Sequence, residues 1–228
     1  MRNIIIRYCT TNELMVNIVV GYYDVAQIQQ LAEHLLFHVP SITTLLYTIN
    51  PKWNDSIYDL TPQVYFGKGF ITEKLSAGSF GEDFVFKISA KSFFQTNTKQ
   101  AEKLYAVTRD FAALTGNEIV YDLYCGTGSI GIFVSKQAKK IIGVEVIEEA
   151  IADAKENAAL NNISHAEFFS GDVIKICNDE IADSDISTNV AHTNRFDTDA
   201  DEHRAPATIE SADAARSYRR AQCTPLGF

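Results

Sequence analysis

The sequence predicts an α/β fold in which a small α+β domain precedes a parallel βαβ crossover, and three observations carry that prediction. Val120-Tyr-Asp-Leu-Tyr-Cys-Gly-Thr-Gly-Ser-Ile-Gly131 is an apolar run interrupted by an acid, a two-glycine turn and the start of a helical pattern. Ile141-Ile-Gly-Val-Glu145 is a second apolar run ending in a carboxylate. Before about residue 90, short β-branched and aromatic runs replace that alternation.

In chain order, residues 4–7 and 14–20 read as a β-hairpin joined through residues 10–13. Asp24 suits an N-cap, and Val25, Ile28, Leu31, Leu35 and Leu36 recur at helical spacing until Pro40. Strands return at 44–49, 63–66, 70–75 and 84–88, which completes an α+β domain over residues 1–90. Asn97 and Gln100 match a capping box for a helix to about Leu114, closing at Thr115-Gly116. Three βα units follow: 119–124 with the helix after Gly128, 141–146 with 147–160, and 167–170 with a helix from Val173. Such alternation implies parallel strands, right-handed crossovers and a ligand at the strands' carboxyl ends.

The residues at those ends define a candidate site. Gly126 and Gly128 permit positive φ and close backbone approach, and Gly131 lets helix and strand pack tightly. Glu145 lies at the tip of the second strand, at the roughly twenty-residue spacing that ribose recognition uses, and a carboxylate there accepts from ribose hydroxyls. The glycine pattern alone also fits a nicotinamide dinucleotide site. However, Asp122 and Leu123 stand ahead of the first glycine with two residues between, and an acid there suits a cationic ligand. S-adenosylmethionine, with its ammonium and sulfonium, is such a ligand. Asp122 has a competing reading as a turn or helix cap.

Composition fits a soluble cytoplasmic protein: no apolar stretch is long enough for a membrane span, and the N-terminus lacks a signal-like core. The four cysteines are scattered, so reduced thiols and no metal are expected. The five histidines show no ligand or triad spacing. A formal charge of −9 is unusual for a nucleic-acid partner, leaving Lys68, Lys74, Lys87, Lys91, Lys99 and Lys103 as either a local basic patch or solvated surface.

Taken together, Ile88-Ser-Ala-Lys-Ser-Phe-Phe-Gln-Thr-Asn97, Ala101-Glu-Lys-Leu-Tyr105, Asp122-Leu-Tyr-Cys-Gly-Thr-Gly128, Gly143-Val-Glu145, the run from Ala150 to Ala158 that includes Asp153, Ala154 and Asn157, and Gly171-Asp172 resemble the S-adenosylmethionine-dependent RNA uracil-C5 methyltransferases. The likeness is greatest to the branch that methylates 23S ribosomal RNA. It implies a partial Rossmann-like class I methyltransferase domain over residues 91–180, preceded by a substrate-side domain over 1–90. It also implies S-adenosylmethionine as cofactor and ribosomal RNA as partner. Gln95 and Tyr124 would contact the cofactor, although Tyr124 also reads as a half-buried core aromatic. Ser129 would reach the cofactor or cap its helix, and Asp172 would contact the adenine amino group or cap the helix after it.

The mechanism implied by the resemblance adds a cysteine thiolate to uracil C6, methylates C5 and removes the C5 proton with a carboxylate. In the family these groups lie in a Ser-Cys-Asn-Pro motif and a later glutamate, after an Asp-Pro-Pro-type strand end. None of the three occurs in these 228 residues, so no catalytic residue is assigned, and the catalytic part reads as missing or replaced. Residues 181–228 read as a divergent, poorly ordered polar tail without strand periodicity. With three parallel strands, the strand at 119–124 would form a sheet edge open to self-association.

Overall fold

In the computed structural model the described residues are 1–78, 81, 83–173, 188–192 and 209–210. The chain divides into two compact units, one of Met1–Lys74 with Val85–Phe93, the other of Leu75–Phe84 with Phe94–Phe228.

In the first unit, β1 (Asn3–Tyr8) and β2 (Leu14–Val20) form the expected antiparallel hairpin. Helix α1 (Val25–His38) starts where the Asp24 side chain accepts from the Gln27 N–H at 3.1 Å, and it stops at Val39, before Pro40. Strand β3 (Thr44–Ile49) lies parallel to β2, and β4 (Gln63–Phe66) is antiparallel to β3, so the sheet order is β1-β2-β3-β4. Val16, Ile18, Val20 and Leu45 of the sheet pack against Ile28 and Ala32 of α1, joining the alternate residues of strands to one stripe of the helix. Strands β5 (Phe70–Leu75) and β6 (Phe84–Ser89) form a separate two-stranded sheet. Buried Glu73 accepts from the backbone and hydroxyl of Thr10, tying β5 to the hairpin turn. Burial, then the nearby Glu73 and Glu13, pushes the Cys9 thiol up to about 12, which keeps it protonated.

The second unit opens with α2 (Thr98–Ala112), capped by Asn97 accepting from the Gln100 N–H at 3.1 Å. Ala113 ends this helix in a left-handed conformation, ahead of the predicted stop at Thr115-Gly116. The βα units follow as β7 (Ile119–Leu123), α3 (Ser129–Val134), β8 (Lys140–Glu145), α4 (Glu148–Leu160) and β9 (Ala166–Ser170). The helix expected after Val173 lies outside the described residues.

Two further strands correct the expectation for the C-terminal segment. Strand β10 (Thr188–His192) pairs parallel with β7, and β11 (Ile209–Glu210) is antiparallel to β10. The sheet order is therefore β11-β10-β7-β8-β9, and β7 is the central strand rather than an open edge. The self-association expected at that edge loses its basis. Thr188-Asn-Val-Ala-His192 lacks an alternating apolar pattern, and its strand conformation comes from backbone pairing with β7, which is independent of side-chain type. The rest of the 181–228 segment lies outside the described residues.

Candidate functional site

The carboxyl ends of β7, β8 and β9 meet at Glu145. Its Oε1 accepts from the N–H groups of Val146 at 2.8 Å and Ile147 at 3.1 Å, and its Oε2 accepts from the Gly126 N–H at 3.2 Å. The Glu145 carbonyl accepts from the Gly171 N–H at 2.9 Å, and the Val144 carbonyl accepts from the Cys125 N–H at 3.1 Å. One residue thus holds the turn after β7 and the end of β9. A carboxylate offers about four acceptor positions, so the three bonds to described residues leave one further position on Oε2 without a described partner.

The turn itself is built on positive φ. Tyr124, Gly126 and Gly128 lie at φ of 60°, 53° and 74°. For Tyr124 that conformation costs on the order of 1–3 kcal/mol. Tyr124 is about half exposed. A Cβ added to Gly126 would meet nothing, whereas one on Gly128 would strike the Phe168 ring at 2.9 Å. Gly126 therefore faces open space, and Gly128 is required by packing as well as by φ. Gly131 fulfils its predicted packing role: a Cβ there would lie 2.8 Å from Ile141.

Asp122 is fully buried beneath this turn. Its Oδ2 accepts from the Gly131 N–H at 2.8 Å, so it staples α3 to β7, while Oδ1 has no described partner. Burial pushes its carboxyl up to about 7; the Gly131 bond opposes this and the Glu145 charge adds to it. Burial likewise raises the Cys125 thiol, with Asp122 and Glu145 adding to the effect, which makes Cys125 a packing residue rather than a nucleophile.

Ser129 does not cap α3. Gly128 is the cap residue, without a side-chain bond, and Ser129 Oγ instead lies 3.0 Å from the hydroxyl of Tyr105 on α2. Gln95 is half-buried on the segment before α2, and Asp172 is exposed directly after β9. Asp122, Gly126, Gly128 and Glu145 are thus joined by described bonds or contacts around one turn. Tyr124 belongs to the turn itself, and Gln95 and Asp172 stand on the segments before α2 and after β9. Of the six lysines, Lys68, Lys74, Lys87 and Lys91 belong to the first unit and Lys99 and Lys103 to the second.

Three supporting residues had no sequence assignment. Asn157, fully buried on α4, donates from Nδ2 to the Thr127 carbonyl at 3.2 Å and so holds the middle of the turn. Its signal was available: Asp153 and Asn157 are polar residues on the same helix face as buried Ala154 and Ala158. Tyr105 is buried against Phe133 and holds Ser129. Phe168 fills the space left by Gly128 and Gly143. Among the described residues, no cluster of three metal-capable side chains occurs and no helix is long and apolar enough to cross a membrane.

Comparison with known proteins places this geometry. The profile of the tRNA (uracil-5-)-methyltransferase family matches residues 60–197, more than half of the chain. A protein of Bacteroides thetaiotaomicron described as an uncharacterized RNA methyltransferase is 46% identical over 176 residues, covering 76% of this chain and 37% of the relative. One from Porphyromonas gingivalis with the same description is 47% identical over 173 residues, covering 76% and 36%. The chain spans little more than a third of the length of these relatives. The fold is also that of a tRNA (uracil-54, C5)-methyltransferase of Pyrococcus abyssi, solved with S-adenosyl-L-homocysteine, with a TM-score of 0.60 and 23% identity over 84% of this chain and 50% of that one.

Proposed function

The chain belongs to the tRNA (uracil-5-)-methyltransferase family, and from that premise we propose that its second unit binds S-adenosylmethionine for methyl transfer to C5 of a uridine in RNA, with 23S ribosomal RNA in the cytoplasm as the substrate. The observation that carries the reading is Glu145, a buried carboxylate at a strand tip whose Oε2 keeps an acceptor position beside the open space at Gly126. A ribose there would take that position on Oε2 and compete for the longer Gly126 bond.

The residues present fit this cofactor. Glu145 would hold the ribose hydroxyls, and Gly126 would let the ligand approach backbone. Tyr124 would lie against the bound molecule, and Asp172 would meet the adenine. Gln95 and Ser129 would contribute polar contacts. Asp122 acts from below, keeping α3 and the turn in place. When bound, S-adenosylmethionine supplies a methyl group on a sulfonium, and the cationic ligand is favoured by the Glu145 carboxylate. In this reading the first unit lies on the substrate side of the protein.

A second reading, a noncatalytic S-adenosylmethionine- or RNA-binding module, is favoured by one observation. The described cysteines, Cys9 and Cys125, are both buried, and burial raises both thiols, so neither is a ready nucleophile. We accordingly expect the isolated 228 residues to turn over weakly or not at all. Mass spectrometry of candidate RNA for 5-methyluridine tests that expectation, and robust methylation would reverse it.

Calorimetric titration with S-adenosylhomocysteine tests the cofactor reading. Glu145→Ala is expected to weaken binding by roughly 100-fold, in line with loss of charge-assisted bonds worth about 1.5–3 kcal/mol each. Unchanged affinity in a folded Glu145→Ala protein would refute the assignment.

A further inference from the structure

We propose that Tyr105 of α2 is a positioning residue for the cofactor: its phenol O–H donates to Ser129 Oγ, which turns the Ser129 hydroxyl into a donor for the carboxylate on the methionine arm of S-adenosylmethionine. The proposal rests on the reading that the second unit binds this cofactor. It assigns a part of the ligand that the Glu145 carboxylate, having no donor, does not serve.

The two hydroxyls lie 3.0 Å apart, one on α2 and one on the first residue of α3. Which of them donates follows from what else each can reach. Tyr105 is 2% exposed, and the Ser129 oxygen is the described partner of its phenol. A buried O–H that finds no acceptor keeps its desolvation penalty, so the phenol donates. Ser129 is partly exposed, so its own hydrogen is free to turn to water or to a ligand. Nor does ionisation relieve the phenol: burial, opposed by the Ser129 bond and aided by the Asp122 charge, pushes Tyr105 up to about 12.

Packing fixes where that phenol stands. Tyr105 meets Phe133 of α3 edge-on, with ring centroids 5.6 Å apart and planes at 69°. Phe133 in turn meets the Phe84 ring at 5.7 Å and the Arg109 guanidinium at 5.8 Å, and all four residues are buried. Ser129 is held by backbone on both sides. The Gly128 N–H donates to the Cys125 carbonyl at 2.8 Å, and the Gly131 N–H donates to Asp122 Oδ2 at 2.8 Å. The pair is therefore set before any ligand arrives, and a hydroxyl that accepts one bond donates the next more strongly.

The chemistry selects the ligand group. Ribose hydroxyls and an ammonium are donors and suit the acceptors of Glu145. A carboxylate only accepts, and a hydrogen bond to a charged group contributes more than one between neutral groups. Ser129, with a lone pair taken up by Tyr105, offers the donor that such a group requires.

Two ligands test this in calorimetric titrations of the full chain. S-adenosylhomocysteine carries the amino-acid arm, and 5′-methylthioadenosine has the same nucleoside and thioether without it. Ser129→Ala should lower the ratio of their association constants by roughly 10- to 100-fold, the loss of one hydrogen bond to a charged group. Tyr105→Phe, which keeps the ring packing, should lower it by roughly 5-fold. The double variant should lose no more than Ser129→Ala alone, because Tyr105 acts through Ser129. Glu145→Ala should instead weaken both ligands together, since both carry the ribose. The proposal is overturned if Tyr105→Phe leaves the ratio unchanged, whether by binding both ligands like the parent or by weakening both alike, which marks a structural role. It is also overturned if the two effects multiply in the double variant. A parent chain that takes neither ligand refutes the cofactor reading and this proposal with it, whereas a parent that takes both, with the ratio unmoved in Tyr105→Phe, refutes the proposal alone.

Discussion

Each unit contains a parallel β-α-β arrangement, and the two differ in how the chain leaves the first strand. Between β2 and α1 the turn is Gly21-Tyr22-Tyr23-Asp24, and the Asp24 carboxylate closes the helix start by accepting from Gln27. Between β7 and α3 the turn runs through three residues of positive φ and ends on a glycine cap with no side-chain bond. At the second strand the contrast repeats: Asn50 after β3 spends its amide on its own loop, whereas Glu145 at the end of β8 reaches across to the turn and keeps an acceptor position. Parallel topology alone therefore does not make a nucleoside site. A turn whose own residues supply no cap, the first-turn N–H of Gly131 being taken instead by Asp122 from β7, and an acid with spare acceptor capacity among the described residues distinguish one from the other.

The largest test of that contrast is the loss of cofactor binding in Glu145→Ala. Next is Gly128→Ala, whose Cβ would meet Phe168 at 2.9 Å and Ala154 at 3.2 Å from a left-handed backbone. It should destabilise the protein by roughly 1–3 kcal/mol in urea unfolding and weaken S-adenosylhomocysteine binding in the same variant. Retained stability would show that the turn tolerates a side chain and would break the distinction.

Asp122 provides a pH test. With its folded carboxyl near 7 and an unfolded value near 4, about that of a free aspartate, the folded state holds a proton that the unfolded state has lost within that window. This contribution favours folding at the acidic end and fades as pH rises towards 7. Unfolding midpoints between pH 5 and 7.5, compared for the parent and Asp122→Asn, should show a smaller decline in the variant. Identical slopes would refute the buried-acid account.

The smallest expected effect is in the first unit. Asp24→Ala should cost about 1 kcal/mol of stability, as for other lost N-caps, without changing S-adenosylhomocysteine affinity. A change in that affinity would show that the closed helix start matters to the site.

How much of this was legible in sequence varied with the range of the interaction. The hairpin, Asp24, Asn97 and the strands through β9 follow from periodicity and local capping, which act within a few residues. Strand β10 did not, since Thr188-Asn-Val-Ala-His192 becomes a strand only beside β7. Glu145 was readable as an acid ending a strand, but its bonds to the turn were not. Asn157 was quoted only as part of a pattern, because its bond to the Thr127 carbonyl spans 30 residues. The left-handed Ala113 shows the same limit, ending α2 where a later glycine looked better suited.

Phe168 has a consequence for how this sequence can vary. A Cβ on Gly143 would fall 2.3 Å from its ring, and one on Gly128 at 2.9 Å, so a single ring on β9 fills two hollows left by glycines on β8 and in the turn. These three positions form one unit of inheritance. Enlarging Gly143 alone meets a clash, and trimming Phe168 alone opens a void, yet the two changes made together offset one another in volume. A library that randomises the three sites jointly will contain solutions that stepwise mutation does not reach.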